Sequence, residues 1–187
     1  LAAGDAVRHP HIALPADIFG ASRRNAKGWD ITDSLTLASL NTSRDAFATQ
    51  QWHAGPCMDA PVTSADTVEV HNPARPDDRV GQVTEANAAD IDAAINAATL
   101  GARTWAAQDA RTRADCLRRV ADVYEAHAPE LFALACREAG KSLLDAVNEV
   151  REAVDFARYY ANDAERLADA QPRGVIACIS PWNFPLA

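Results

Sequence analysis

The sequence predicts an α/β fold, and three observations carry the prediction. The chain closes on an apolar run of strand length, Gly174-Val175-Ile176-Ala177-Cys178-Ile179-Ser180, which ends at Pro181. Such a run reads as a buried strand of a parallel sheet. Thr67-Val68-Glu69-Val70 and Val80-Gly81-Gln82-Val83 alternate as paired strands do, and Asn72-Pro73 with Pro76-Asp77-Asp78 supplies turn chemistry between them. A hairpin is therefore expected over 67–84. Between the hairpin and the final run lies a succession of Ala-rich helical patterns.

Residues 1–66 read as irregular, punctuated by His9-Pro10, Leu14-Pro15, Gly20, Gly55-Pro56 and Ala60-Pro61. A short helix is expected over 43–53. The basic patch Ser22-Arg23-Arg24-Asn25-Ala26-Lys27 reads as a solvated loop. The stretch looks like a connecting arm that needs another surface to pack on.

Helices follow the hairpin. Asn87 with Asp90 marks the start of the first, which carries Ile91, Ile95, Ala98 and Ala102 at helical spacing. A second covers 111–127 and is expected to turn Cys116, Leu117, Val120, Val123 and Tyr124 inward. Pro129 suits the first turn of a third, over 129–139, carrying Leu131, Leu134 and Ala135. Gly140 should close it in the left-handed conformation. Ser142 then caps a long helix, with Asp145 near the positive end of its dipole. Leu143, Val147, Val150, Val154, Ala157, Ala161 and Ala164 repeat at 4-3-4-3-4-3 spacing, the strongest periodic signal in the chain. A second stripe, Glu152, Phe156 and Tyr159 or Tyr160, runs beside it. Glu149 and Asp155 are expected to add negative charge there, and Arg151, Arg158 and Arg166 to make ordinary surface pairs. Gln171-Pro172-Arg173-Gly174 ends the helix.

Composition narrows the function classes. Of 187 residues, 48% are apolar but only 6% aromatic, so alanine carries the difference, as in close-packed helices. A net charge of −8 argues against nucleic acid as the main partner of this segment. The chain starts at Leu1 without Met, with no signal region and no run long enough to span a bilayer, and reads as a piece of a longer soluble protein. Cys116, Cys136 and Cys178 lie in apolar patterns and read as buried thiols, and Cys57 as incidental. With no CxxC pair and no zinc spacing, a reducing compartment fits and no metal is expected. The histidines form no ligand set beyond His9-x-His11, which reads as loop. There is no GxGxxG, no phosphate-binding Gly-Lys-Thr loop and no support for a Ser-His-Asp set.

One segment carries chemistry. Pro181-Trp182-Asn183-Phe184-Pro185 sits at the carboxyl end of the expected strand, where open α/β sheets bind ligands. The Asn183 amide can donate to a developing oxyanion without bringing a cation into the site. Trp182 could wall a flat ring and Phe184 could line a substrate channel. The alternative is a rigid turn in which Asn183 satisfies a backbone group. Glu152 is either an acidic wall for a cationic substrate group or part of a solvated helix face. Glu138-Ala139-Gly140-Lys141 reads as a helix end with its cap.

Taken in order, Asn72-Pro73-Ala74, Val80-Gly81-Gln82-Val83, the Ala-rich helix with Trp105, Arg113-Ala114-Asp115-Cys116-Leu117, Glu138-Ala139-Gly140-Lys141, Asp155-Phe156-Ala157-Arg158-Tyr159-Tyr160-Ala161 and Ile179-Ser180-Pro181-Trp182-Asn183-Phe184-Pro185 resemble the opening of NAD(P)-dependent aldehyde dehydrogenases. The resemblance covers roughly 67–187. The leading residues Leu14-Pro15-Ala16-Asp17-Ile18-Phe19-Gly20, Arg23-Arg24-Asn25 and Gly28-Trp29-Asp30 resemble the connector before the aldehyde dehydrogenase half of bacterial bifunctional proline utilization proteins. Those fuse an FAD-dependent proline dehydrogenase to an NAD-dependent L-glutamate γ-semialdehyde dehydrogenase.

The resemblance implies a connecting arm over 1–66 and the N-terminal part of a Rossmann-type NAD-binding domain over 67–187. It implies that a cysteine thiolate attacks the aldehyde, that hydride passes to NAD, and that a glutamate-activated water releases the acid. Asn183 would be the oxyanion-hole side chain. Ile179, Ser180, Pro181 and Trp182 would border NAD, and Phe184 would line the aldehyde tunnel. Glu152 would meet the ammonium of glutamate semialdehyde. The nucleophilic cysteine, the water-activating glutamate and the adenine-ribose lysine come later in the family pattern. None of the four cysteines here matches the nucleophile, so this chain alone is expected to be inactive. The parent is expected to be a cytoplasmic homo-oligomer, with peripheral membrane contact allowed. Two other readings stay open: a dehydrogenase of another aldehyde, and a non-catalytic helical scaffold.

Overall fold

A computed structural model describes residues 11–187. His9 and Pro10 lie outside them. Two short 3-10 turns, Pro15–Asp17 and Gly20–Ser22, precede α1 (Ser34–Asp45), β1 (Trp52–Ala54), β2 (Thr67–Asn72) and β3 (Arg75–Thr84). Four helices follow: α2 (Ala88–Ala106), α3 (Ala110–Ala126), α4 (Ala128–Glu138) and α5 (Leu143–Arg166).

The expected hairpin is β2–β3, antiparallel, with Val68 opposite Val83 and a register shift on either side of His71. Asn72 shapes its turn: Oδ1 accepts the Ala74 N–H at 2.9 Å and Nδ2 donates to Asp78 at 3.0 Å. The expected arm contributes a third strand, because β1 pairs in parallel with β3 and gives the order β1-β3-β2. Trp52 faces Gly81 in that ladder. A Cβ at Gly81 would fall inside the Trp52 carbonyl, so only glycine lets the two strands approach. The helix expected over 43–53 lies earlier, at α1. Asp33 starts it by accepting the Thr36 N–H at 2.8 Å.

Helices α3, α4 and α5 enclose the core, centred on Phe132, Val147, Val150 and Val154, all buried. The α5 stripe lies inward as its spacing requires: Val147, Val150, Val154 and Ala161 are buried, and Leu143 and Ala157 pack at its edge. On α3 the inward face differs from expectation. Ala114 and Ala121 are buried, whereas Val120 and Val123 are exposed. Small residues let α3 lie close against α5, its most extensive packing partner, and the valines fall on the other side. Trp29 of the arm packs edge-on against Phe132, with ring centroids 5.1 Å apart.

The patch 22–27 is a clasp rather than a solvated loop. Arg23 pairs with Asp155 at 3.3 Å, the Ala26 N–H donates to the same carboxylate at 2.9 Å, and the Lys27 N–H donates to Glu125 at 2.6 Å. Arg158 is likewise no surface residue. It is buried on α5 and bonds Glu125 and Asp122 of α3 and the Asn25 carbonyl.

Helix α2 begins with reciprocal Asn87 and Asp90 bonds of 2.9 and 3.2 Å. The Thr63 and Ser64 N–H groups also donate to Asp90, at 2.7 and 3.1 Å. The backbone bond from Thr63 is the largest influence holding this carboxyl below its ordinary range, against its desolvation. The helix leaves Ile91 and Ile95 half-exposed.

The final run is the main departure from expectation. Residues 174–180 form no strand, and Val175, Ile176 and Ile179 are exposed. A strand needs a neighbour for its N–H and C=O groups. Among the described residues the sheet holds three strands in the order β1-β3-β2, and residues 174–180 pair with none of them. Cys178 is therefore exposed rather than buried, while Cys116 and Cys136 are half-buried.

Candidate active site

Two helix ends and one turn build the site. At the end of α4, Gly140 takes φ +66°, and the Lys141 N–H returns to the Ala135 carbonyl at 3.2 Å. Ser142 then caps α5, accepting the Asp145 N–H at 3.2 Å. The chain comes back across these ends at 181–187. The Phe184 N–H donates to the Pro181 carbonyl at 3.2 Å, closing a turn with Trp182 and Asn183 at its centre. Prolines at 181 and 185 fix φ on either side of it.

Asn183 is exposed, and its amide bonds no other described residue. Among the described residues it satisfies no backbone group. A cavity of about 550 Å³ lies on its side of the turn, bounded by Leu134, Glu138 and Lys141 of the α4 end with Trp182 and Asn183. A second, of about 320 Å³, lies on the other side, bounded by Glu152 and Phe156 of α5 with Ser180, Pro181 and Phe184. Glu152 and Phe184 thus share one cavity while Asn183 and Trp182 share the other. Ile179 lines neither and is 95% exposed. None of the four cysteines lines either cavity.

The acidic neighbourhood expected around Glu152 is thinner than its sequence. Asp155 is committed to Arg23 and Ala26, and Glu149 is buried. Glu152 is the exposed carboxylate on that face. Glu149 instead holds the end of the turn. Its Oε1 accepts the Leu186 N–H at 2.6 Å, and its Oε2 lies 3.0 Å from Lys141 Nζ. Lys141 Nζ also sits 5.3 Å over the Phe184 ring. The sequence reading gave Glu149 only as added negative charge beside Glu152, and Lys141 as part of a helix end with its cap. The usable signal was position: Glu149 follows the buried Ala146 by three residues and adjoins Val150.

The aldehyde dehydrogenase family model matches residues 61–187. The chain belongs to the aldehyde dehydrogenase family. It is 42% identical over 182 residues to the bifunctional protein PutA of Klebsiella aerogenes, covering 96% of this chain and 14% of that protein. It is 44% identical over 185 residues to PutA of Rhizobium meliloti, covering 96% of this chain and 15% of that protein. A crystal structure of a bifunctional proline utilization A protein superposes with a TM-score of 0.71 at 32% identity, over 96% of this chain and 17% of that one. The chain thus spans about one seventh of the curated relatives it matches.

Membership of this family implies use of NAD(P). Trp182 is 91% exposed beside the exposed Ile179, and residues 171–180 form no backbone hydrogen bond with other described residues. Open apolar side chains and unpaired amides suit a flat ring and its polar edge. Among the described residues no His, Cys, Asp or Glu cluster could hold a metal, and no helix is long and apolar enough to cross a membrane.

Proposed function

We propose that this chain is part of an enzyme that oxidises L-glutamate γ-semialdehyde to L-glutamate with NAD, in a polypeptide that also carries an FAD-dependent proline dehydrogenase. The observation that carries the reading is the cavity bounded by Glu152, Phe184 and Ser180. It combines one uncommitted carboxylate with an aromatic wall beside the Asn183 turn. The ammonium of the substrate would meet Glu152, and Phe184 would guide its aldehyde end. The similarity to PutA proteins over nearly the whole chain, arm included, supports this substrate over others. Residues 1–66 would then connect the two catalytic modules.

In the reaction, a thiolate from elsewhere in the protein forms a C–S bond to the aldehyde carbon, and the carbonyl electron pair moves to oxygen. The Asn183 Nδ2–H would donate to that alkoxide. Bound NAD supplies the hydride acceptor, and residues 179–182 would form one wall of its site. The resulting thioester is hydrolysed by water activated outside this chain, which returns the thiol and releases the acid. Residues 174–180 would gain their strand partners from the remainder of the protein. By this account the chain alone has no dehydrogenase activity.

The experiment is Glu152→Ala in the full-length protein, assayed against an aldehyde panel. Loss of a charge-assisted contact should lower kcat/KM for glutamate semialdehyde by roughly 10- to 100-fold. Oxidation of a simple aliphatic aldehyde should stay nearly unchanged. Equal losses on both would remove Glu152 from substrate recognition.

A further inference from the structure

An amide donor for an oxyanion must be aimed before the charge forms. Among the described residues Asn183 has no hydrogen-bond partner to aim it, so its direction is set by the backbone that carries it. Pro181 and the 181–184 bond fix the near side of the turn. The far side is held by Leu186, which is gripped at both backbone groups. Its N–H donates to Glu149 Oε1 at 2.6 Å, and its carbonyl accepts from the Tyr124 hydroxyl at 3.4 Å. The Ala187 N–H reaches the same Glu149 oxygen at 3.3 Å.

Glu149 is only 2% exposed. A buried carboxylate is costly unless it is paired and hydrogen-bonded. Here the compensation comes from two amides of the returning chain and from Lys141, which itself lies over Phe184. Among the described residues every side-chain partner of Glu149 is on the returning chain or touches it, and none is on α5 itself. We propose that Glu149 is a positioning residue that clamps 184–187 onto α5 and so aims the Asn183 amide. The inference rests on the oxyanion reading of Asn183.

The test uses the full-length protein with Glu149→Ala, Asn183→Ala and the double variant. Amide hydrogen exchange over 184–187 is measured alongside kcat and KM. Glu149→Ala should speed exchange at 184–187 and lower kcat on the order of tenfold, with KM for NAD little changed. Added to Asn183→Ala, it should cost almost nothing further in kcat, because the group it aims is gone. The conservative variant Glu149→Gln keeps an acceptor for the Leu186 N–H, so exchange at 184–187 should be slower than in Glu149→Ala, and exchange as fast as in Glu149→Ala would count against the clamp. Unchanged exchange in Glu149→Ala, or losses that multiply in the double variant, would overturn the clamp. An unchanged kcat in Asn183→Ala with exchange still accelerated in Glu149→Ala would instead overturn the oxyanion reading, and the inference with it.

Discussion

Arg158 of α5 brings Nη2 to 2.9 Å from Glu125 Oε2 of α3, while its Nη1 reaches the Asn25 carbonyl at 3.2 Å. One guanidinium therefore joins two core helices to the arm. The two side chains are 7% and 14% exposed. Burial pushes the Glu125 carboxyl up, but the Arg158 bonds and the Lys27 N–H outweigh it and leave it below its ordinary range. Burial pulls the Arg158 guanidinium down, but its bonds to Glu125 and Asp122 outweigh it and leave it raised.

Removing one member of such a pair strands the other. Arg158→Met should destabilise the fold by about 3–5 kcal/mol, because Glu125 would stay buried without its cation. Urea unfolding reads the loss directly. Amide exchange should show residues 25–27 released first, since Arg158 itself bonds the Asn25 carbonyl and Glu125 accepts the Lys27 N–H. A change within about 0.5 kcal/mol would show the pair to be incidental.

The hairpin turn carries an acid-sensitive bond. Asp78 accepts from Arg137 at 2.7 and 3.2 Å and from Asn72 at 3.0 Å. The Arg137 bonds, then Asn72, hold its carboxyl far below the ordinary 3.8. A depressed folded-state pKa contributes stability that is complete above the unfolded value and is lost as pH falls below it. Urea midpoints should therefore decline below about pH 4, and Asp78→Asn should lower the neutral-pH midpoint while flattening that decline. An equally steep decline in Asp78→Asn would assign the acid sensitivity to other carboxylates.

Gly81 sets how closely β1 approaches β3. Gly81→Ala would force the strands apart at Trp52 and cost about 1–3 kcal/mol. Loss of amide protection at residues 52–54, with β2–β3 still protected, is the expected signature. Retained protection there would mean that the ladder absorbs the methyl group.

Local chemistry made much of this fold legible. The α5 stripe, the Ser142 and Asn87 caps, the Gly140 turn and the 67–84 hairpin each rest on residues near one another in sequence, and each stands in the structure. What could not be read depended on distant partners. β1 pairs with a strand more than twenty residues further on, and Arg158 is buried only because Asp122, Glu125 and Asn25 converge on it. Residues 174–180 have strand composition but no ladder partner among the described residues, so composition alone did not make a strand. At the site, Asn183 and Glu152 were legible as residue types. Their separation into two cavities and the grip of Glu149 on Leu186 were not, because both depend on where the returning chain crosses α5.

The most direct measurement of the central claim is the turnover of Asn183→Ala in the full-length protein with NAD and glutamate semialdehyde. Removing an oxyanion donor typically costs about 2.7–4 kcal/mol, so kcat should fall roughly 100- to 1,000-fold while NAD binding is little changed. An unchanged kcat, or a loss carried entirely by weaker NAD binding, would contradict the account.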